Sequence, residues 1–89
     1  MSSRPEFDTI EIALIRVLHT LIAERSVSGA ASKLSSSQPT VSTQLRRLRG
    51  LLGDPLLVRS GQGMVPTDAA LQFQEIARRM LGDADRLFG

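Results

Sequence analysis

Cysteine, tryptophan and tyrosine are absent from the 89 residues of this chain, histidine occurs once, and phenylalanine three times. Without cysteine there is no disulfide scaffold, no thiolate metal site and no cysteine nucleophile. With three phenylalanines as the only large aromatic side chains, little is available to stack on unpaired bases, which argues against RNA as the partner. His19 falls inside an apolar helical pattern and has no evident nucleophile or metal-ligand partner, so the sequence indicates neither catalysis nor a metal, and no cofactor is expected. Long hydrophobic runs are missing too, since Arg16, His19 and Glu24 interrupt the longest before it could span a bilayer. Residues 1–8 lack the apolar core of a signal peptide. A cytoplasmic protein without membrane association is expected.

A chain of this length forms one domain with a small core, and below about 100 residues a partner surface often contributes to stability. A dimer is therefore expected. Acidic residues are scarce in the middle: residues 27–66 carry Lys33, Arg46, Arg47, Arg49 and Arg59 against Asp54 alone. Each flank instead holds one more acid than base, so the formal charge of +2 conceals a concentrated basic region. Such a region suits a polyanion, and its bland alternative is a solvated basic face.

Ile10, Leu14, Val17, Leu18, Leu21 and Ile22 recur at helical spacing, predicting an amphipathic helix from about Asp8 to Ala23 with Asp8 or Thr9 as its cap. Ser26 is a suitable N-cap for a second, shorter helix through Val27, Ala30, Ala31 and Leu34. Ser35-Ser36-Ser37 has the length of an inter-helix turn. Ser37 can cap a third helix that tolerates Pro39 in its first turn, runs to about Leu52 and ends at a left-handed Gly53, with Pro55 preventing continuation. Leu56–Arg59 and Met64–Pro66 are β-prone and flank Ser60-Gly61-Gln62-Gly63, whose two glycines are expected to supply the positive φ angles of a hairpin turn. Thr67 and Asp68 open a long final helix reaching about Leu87. The expected fold is mainly α, ordered helix, helix, helix, hairpin, long helix.

At about 100° per residue, Val41, Leu45, Leu48 and Leu52 fall within about 60° on one side of the third helix and face the core. Pro39, Ser42, Thr43, Arg46 and Gly50 take the opposite side, flanked by Gln38 and Arg49 on one edge and Arg47 on the other. Two short helices about a tight polar turn, with amide, hydroxyl and guanidinium groups on the outer face of the second, meet the needs of major-groove recognition. Gln38 can pair with N6 and N7 of adenine, Ser42 and Thr43 allow close approach to base edges, and Pro39 and the Thr40 methyl can touch a thymine methyl. Gln38 can instead merely complete the cap formed with Ser37. Arg46 can reach a phosphate or a guanine, while Arg47 and Arg49 contact phosphates or only solubilise the surface. Ser26 and Ser28 open the second helix, where hydroxyls and backbone N–H groups suit a phosphate, although Ser26 also serves as a cap. Arg59 in the hairpin can enter a narrow minor groove or sit as a rim charge.

These residues resemble the N-terminal DNA-binding domain of LysR-type transcriptional regulators over about Asp8 to Leu87. The match rests on Glu24-Arg25-Ser26-Val27-Ser28, Ala30-Ala31-x-x-Leu34, Ser37-Gln38-Pro39-x-x-Ser42, Leu45-x-x-Leu48, Gly53-Asp54-Pro55-Leu56-Leu57-Val58-Arg59 and Pro66-Thr67. The resemblance implies a winged helix-turn-helix, three helices plus a short two-stranded wing, followed by a long linker helix that dimerises. It implies transcription regulation from pseudo-palindromic double-stranded DNA. It places Gln38, Pro39 and Ser42 on bases, Ser28 and Arg46 on the backbone, and Arg59 near the minor groove; Thr43 and Gly29 depart from the family's usual residues. Residues 1–66 are then the DNA-binding domain and 67–89 the linker helix. The effector-binding domain that usually follows is expected to be absent from this fragment, and with it any small-molecule effector site.

The last helix supports self-association on its own pattern: Ala69, Ala70, Phe73, Ile76, Ala77, Met80, Ala84, Leu87 and Phe88 share one broad face, with Leu71 off it. A small domain needs only part of that stripe for its own core, so Phe73, Ile76, Ala77, Met80, Ala84 and Leu87 are the candidate homodimer contacts; packing wholly within one subunit is the alternative. A winged-helix module that binds protein without reading DNA is the remaining rival function.

Overall fold

The computed structural model describes residues 11–89. The first helix, α1, spans Ile12–Glu24 and buries Leu14, Val17, Leu18, Leu21 and Ile22, the i, i+3, i+4 spacing that puts apolar side chains on one face. Ile10 and the candidate caps Asp8 and Thr9 lie outside the described residues; the residue preceding the helix is Glu11, extended and without a side-chain cap. The helix ends at Arg25, left-handed at φ 54°, whose N–H donates to the Leu21 carbonyl at 2.9 Å. Helix α2, Val27–Lys33, starts as expected at Ser26, whose Oγ accepts from the Gly29 N–H at 3.0 Å. Its buried side chains are Ala30 and Ala31, small enough to bring the neighbouring helices close.

The serine run is a turn: Ser35 is left-handed at φ 52°, and the Ser36 N–H reaches back to the Ala31 carbonyl at 2.9 Å, satisfying a carbonyl left over at the end of α2. Helix α3, Gln38–Leu52, is capped by Ser37, with Pro39 in the first turn where its missing N–H leaves no bond unmade. Val41, Leu45 and Leu48 are buried in the core. Leu52, placed with them by the helical wheel, is only half-buried at the core's edge, because the chain leaves the helix at Gly53 (φ 64°) before α3 is covered there.

Strands β1, Leu57–Ser60, and β2, Gly63–Pro66, pair antiparallel with Leu57 opposite Pro66, Val58 opposite Val65, Arg59 opposite Met64 and Ser60 opposite Gly63. The hairpin differs from its expected form in one respect. Gly63 alone of the turn residues has a positive φ, 131°, so a single glycine meets the requirement that two were expected to share. Leu56 stands outside the sheet and is left-handed at φ 66°, although its side chain is one of the most deeply buried.

Helix α4, Asp68–Phe88, is capped by Thr67, whose Oγ1 accepts from the Ala70 N–H at 3.0 Å. It packs chiefly along α1, and one core unites α1, α2, α3, the Leu56–Leu57 pair and the inner face of α4. Each fully buried Leu or Val contributes about 1.5–3 kcal/mol relative to exposure. The broad apolar face of α4 divides in two. Ala70, Ala77 and Leu81 are buried and lie within about 40° of one another. Ile76 and Met80 lie about 100° to the side and are exposed. Ala77, expected at a dimer contact, is therefore a core residue, 1% exposed. Leu81, absent from the expected stripe, is buried as well, at 8% exposure.

Candidate nucleic-acid interface

The outer face of α3 follows from its inner one. Because Val41, Leu45 and Leu48 turn inward, Gln38, Pro39, Thr40, Thr43, Arg46 and Arg47 are exposed and Ser42 is half-buried between them. Gln38 makes no hydrogen bond to any of the described residues, leaving its carboxamide available for bidentate pairing. The hydroxyls are more committed. Ser37 Oγ accepts from the Thr40 N–H at 3.3 Å and donates to Thr40 Oγ1 at 2.8 Å, so Ser37 is occupied as a cap while Thr40 keeps its own proton to donate outward. Thr43 donates back to the Pro39 carbonyl at 3.0 Å, leaving lone pairs but no proton for a base edge.

The arginines divide as well. Arg46 and Arg47 are exposed on α3, and Arg59 is exposed on β1. Arg49 is turned to the protein: its Nε donates to the Pro55 carbonyl at 2.7 Å and its Nη2 to the Leu57 carbonyl at 3.0 Å. Neither expected role, phosphate contact or solubilisation, includes this inward pairing. The i, i+3 spacing on α3 shows where Arg49 starts, but only the fold shows that the chain returns beneath it.

At the start of α2, Ser26 Oγ lies 3.1 Å from Ser28 Oγ while also capping Gly29, which ties both serines into the helix end. Glu24 lies against the same turn: a Cβ at Gly29 would stand 3.4 Å from Glu24 Oε1. An acidic side chain beside this helix end weakens the electrostatic case for a phosphate there. Arg25, part of the Glu24–Ser28 motif but not among the expected contacts, lines a cleft of about 600 Å³ with Ser26 on one wall and Ser60, Gln62, Gly63, Met64 and Val65 of the wing on the other. It brings a cation between the α1–α2 corner and the wing.

On the far side, Ile15, Leu18, Leu52, Phe73, Ile76, Ala77 and Met80 line an apolar groove of about 250 Å³ between α1, α3 and α4. Of the candidate dimer contacts, Ile76 (53% exposed), Met80 and Leu87 are exposed, while Phe73 and Ala84 are half-buried. Along the solvent face of α4, Glu75 accepts from Arg78 Nε at 3.0 Å and Nη2 at 2.7 Å. That guanidinium holds the Glu75 carboxyl down to about 2. No group of His, Asp or Glu among the described residues could hold a metal ion, and no described helix is long and apolar enough to cross a membrane.

Two helices meeting at a tight turn, a third packed behind them and a two-stranded hairpin beside the exposed helix define a winged helix-turn-helix. A family model for bacterial regulatory helix-turn-helix proteins of the lysR family matches residues 12–71, and the chain belongs to that family. It is 46% identical over 66 residues to the HTH-type transcriptional activator NagR of a Ralstonia species, covering 74% of this chain and 22% of the relative. It is 34% identical over 79 residues to the HTH-type transcriptional regulator LeuO of Escherichia coli, covering 89% of this chain and 25% of the relative. The chain thus spans about a quarter of the length of these curated relatives. Among solved structures, the BenM DBD bound to catB site 1 DNA superposes with a TM-score of 0.79 at 29% identity, over 88% of this chain and 84% of that one. The CbnR DBD–DNA complex gives 0.77 at 34% identity, over 86% and 88%.

Proposed function

We propose that this chain binds double-stranded DNA sequence-specifically as the DNA-binding part of a LysR-type transcriptional regulator, with α3 in the major groove and the wing beside the minor groove. Residues 1–66 make the DNA-binding domain, and residues 67–89 form the helix through which two copies pair on a pseudo-palindromic site. The protein acts in the cytoplasm and carries out no catalysis. One observation carries the reading: α3 presents an exposed Gln38 carboxamide at its N-terminal end and an exposed Arg46 on the side opposite its buried Val41, Leu45 and Leu48. The DNA complexes formed by BenM and CbnR domains of similar fold support it, as does the regulatory role named for NagR and LeuO. In this reading Gln38, Pro39 and Ser42 meet bases, with Thr40 and Thr43 beside them. Ser26, Ser28, Ser37, Arg46 and Arg47 lie along the backbone, and Arg59 approaches the minor groove.

Selection from a random duplex pool tests the assignment. The native chain is expected to enrich a two-part site, and Gln38→Ala to relax preference at one base pair in each half, a loss of about 1–3 kcal/mol of discrimination. Enrichment of no sequence, or an unchanged site with Gln38→Ala, contradicts it.

A further inference from the structure

We propose that Arg49, Asp54 and Thr67 form a clasp that positions the wing against α3, so that Arg59 and the reading face of α3 meet the duplex in one fixed register. The inference rests on the DNA-binding reading above and adds residues that touch no DNA themselves.

Between α3 and β1 the chain reverses through Gly53–Leu56, and both ends of that segment are left-handed, Gly53 at φ 64° and Leu56 at φ 66°. Glycine adopts this conformation freely, whereas leucine is opposed by its own Cβ and keeps it only where the surroundings enforce it. Here they do. Asp54 Oδ2 accepts from the Leu56 N–H at 2.8 Å and from Thr67 Oγ1 at 2.6 Å. The Thr67 N–H donates to the Leu56 carbonyl at 3.0 Å, and Arg49 takes the carbonyls on either side, Pro55 and Leu57. Leu56 is thus held through its N–H by Asp54 and through its carbonyl by Thr67, the cap of the linker helix, and its neighbours by a side chain of the recognition helix. Its own side chain, 1% exposed, anchors the segment in the core.

Arg59 lies two residues beyond Leu57 on the same short strand. Any shift at Pro55–Leu57 is therefore carried to the arginine with little chain between to absorb it. The carboxylate of Asp54, the one acid of the basic middle region, serves the backbone and a hydroxyl; it is paired with no arginine among the described residues.

A double-mutant cycle tests the clasp against a merely structural role. Binding of Arg59→Ala to a duplex with A·T-rich flanks is measured in the native background and in Asp54→Ala, with helix content followed by circular dichroism. The expected outcome is a loss of about three- to tenfold for Arg59→Ala in the native chain and less than about twofold in Asp54→Ala, because the wing is already out of register. Asp54→Asn, which keeps an acceptor oxygen for Leu56 and Thr67, should restore the dependence on Arg59. The same fold loss in both backgrounds overturns the clasp and leaves the wing contact standing. No loss for Arg59→Ala in the native chain overturns the wing contact, and the clasp's role with it. If Asp54→Ala does not fold, Thr67→Val, which deletes the hydroxyl bonded to Asp54, is read in the same cycle with the same two outcomes.

Discussion

Gly50 and Gly53 stand three positions apart, and the same substitution has opposite signs at the two. Gly50 lies inside α3, exposed, with open space where a Cβ would be. Gly50→Ala removes a glycine's entropy cost from a helix interior and should stabilise the fold by about 0.5–1 kcal/mol. Gly53 terminates the helix at φ 64°, where its N–H bonds the Arg49 carbonyl. Gly53→Ala places a Cβ in the left-handed region and should destabilise by about 1–2 kcal/mol. Urea denaturation of both variants checks the pair; equal shifts in one direction would mean that backbone conformation does not decide these sites. The residues proposed to touch DNA are governed by chemistry rather than by backbone. Gln38 and Arg46 project outward, and Thr43 is limited to accepting because its proton goes to Pro39.

At the scale of elements, α4 has two faces with separate consequences. Ala77 is buried against α1, whereas Ile76, next to it in sequence, is 53% exposed. Ala77→Asp puts an unpartnered carboxylate in the core and should unfold the chain, while Ile76→Asp or Met80→Asp should leave it folded but monomeric by sedimentation. A folded, unchanged dimer in both exposed variants would remove α4 as the interface. The wheel alone could not draw this division, because a face of small and apolar residues looks alike whether a neighbouring helix or solvent lies beyond it. The caps were legible for the opposite reason: Ser26, Ser37, Gly53 and Thr67 act on backbone within a few residues of themselves, so spacing suffices to find them. Arg49 and Leu56 were not legible. The inward turn of Arg49 and the left-handed conformation of Leu56 depend on where the wing and the start of α4 come to rest. The interface was readable to a similar depth. The outer face of α3 followed from its apolar periodicity, while Glu24 beside α2 and Arg25 facing the wing emerged only from the tertiary arrangement.

At the scale of the whole molecule, the near-neutral formal charge hides a division of labour. Cations gather on α3 and the wing, while α4 sets four acids against three arginines, with Glu75 paired to both Arg78 and Arg79. The apolar groove of Leu18, Phe73, Ile76 and Met80 lies apart from the outer face of α3. Pairing two copies through α4 would therefore leave both recognition helices free, one for each half of a two-part site. Each copy would then add its own phosphate contacts, and affinity should depend steeply on ionic strength. The most direct test of DNA recognition is a binding titration of the native chain against its selected duplex and a scrambled duplex over a series of salt concentrations. The expected result is a log–log slope of about −0.9 per phosphate neutralised, amounting to several units for a dimer, with the selected duplex bound more tightly at every concentration. A flat salt dependence, or equal affinity for both duplexes throughout, would contradict it.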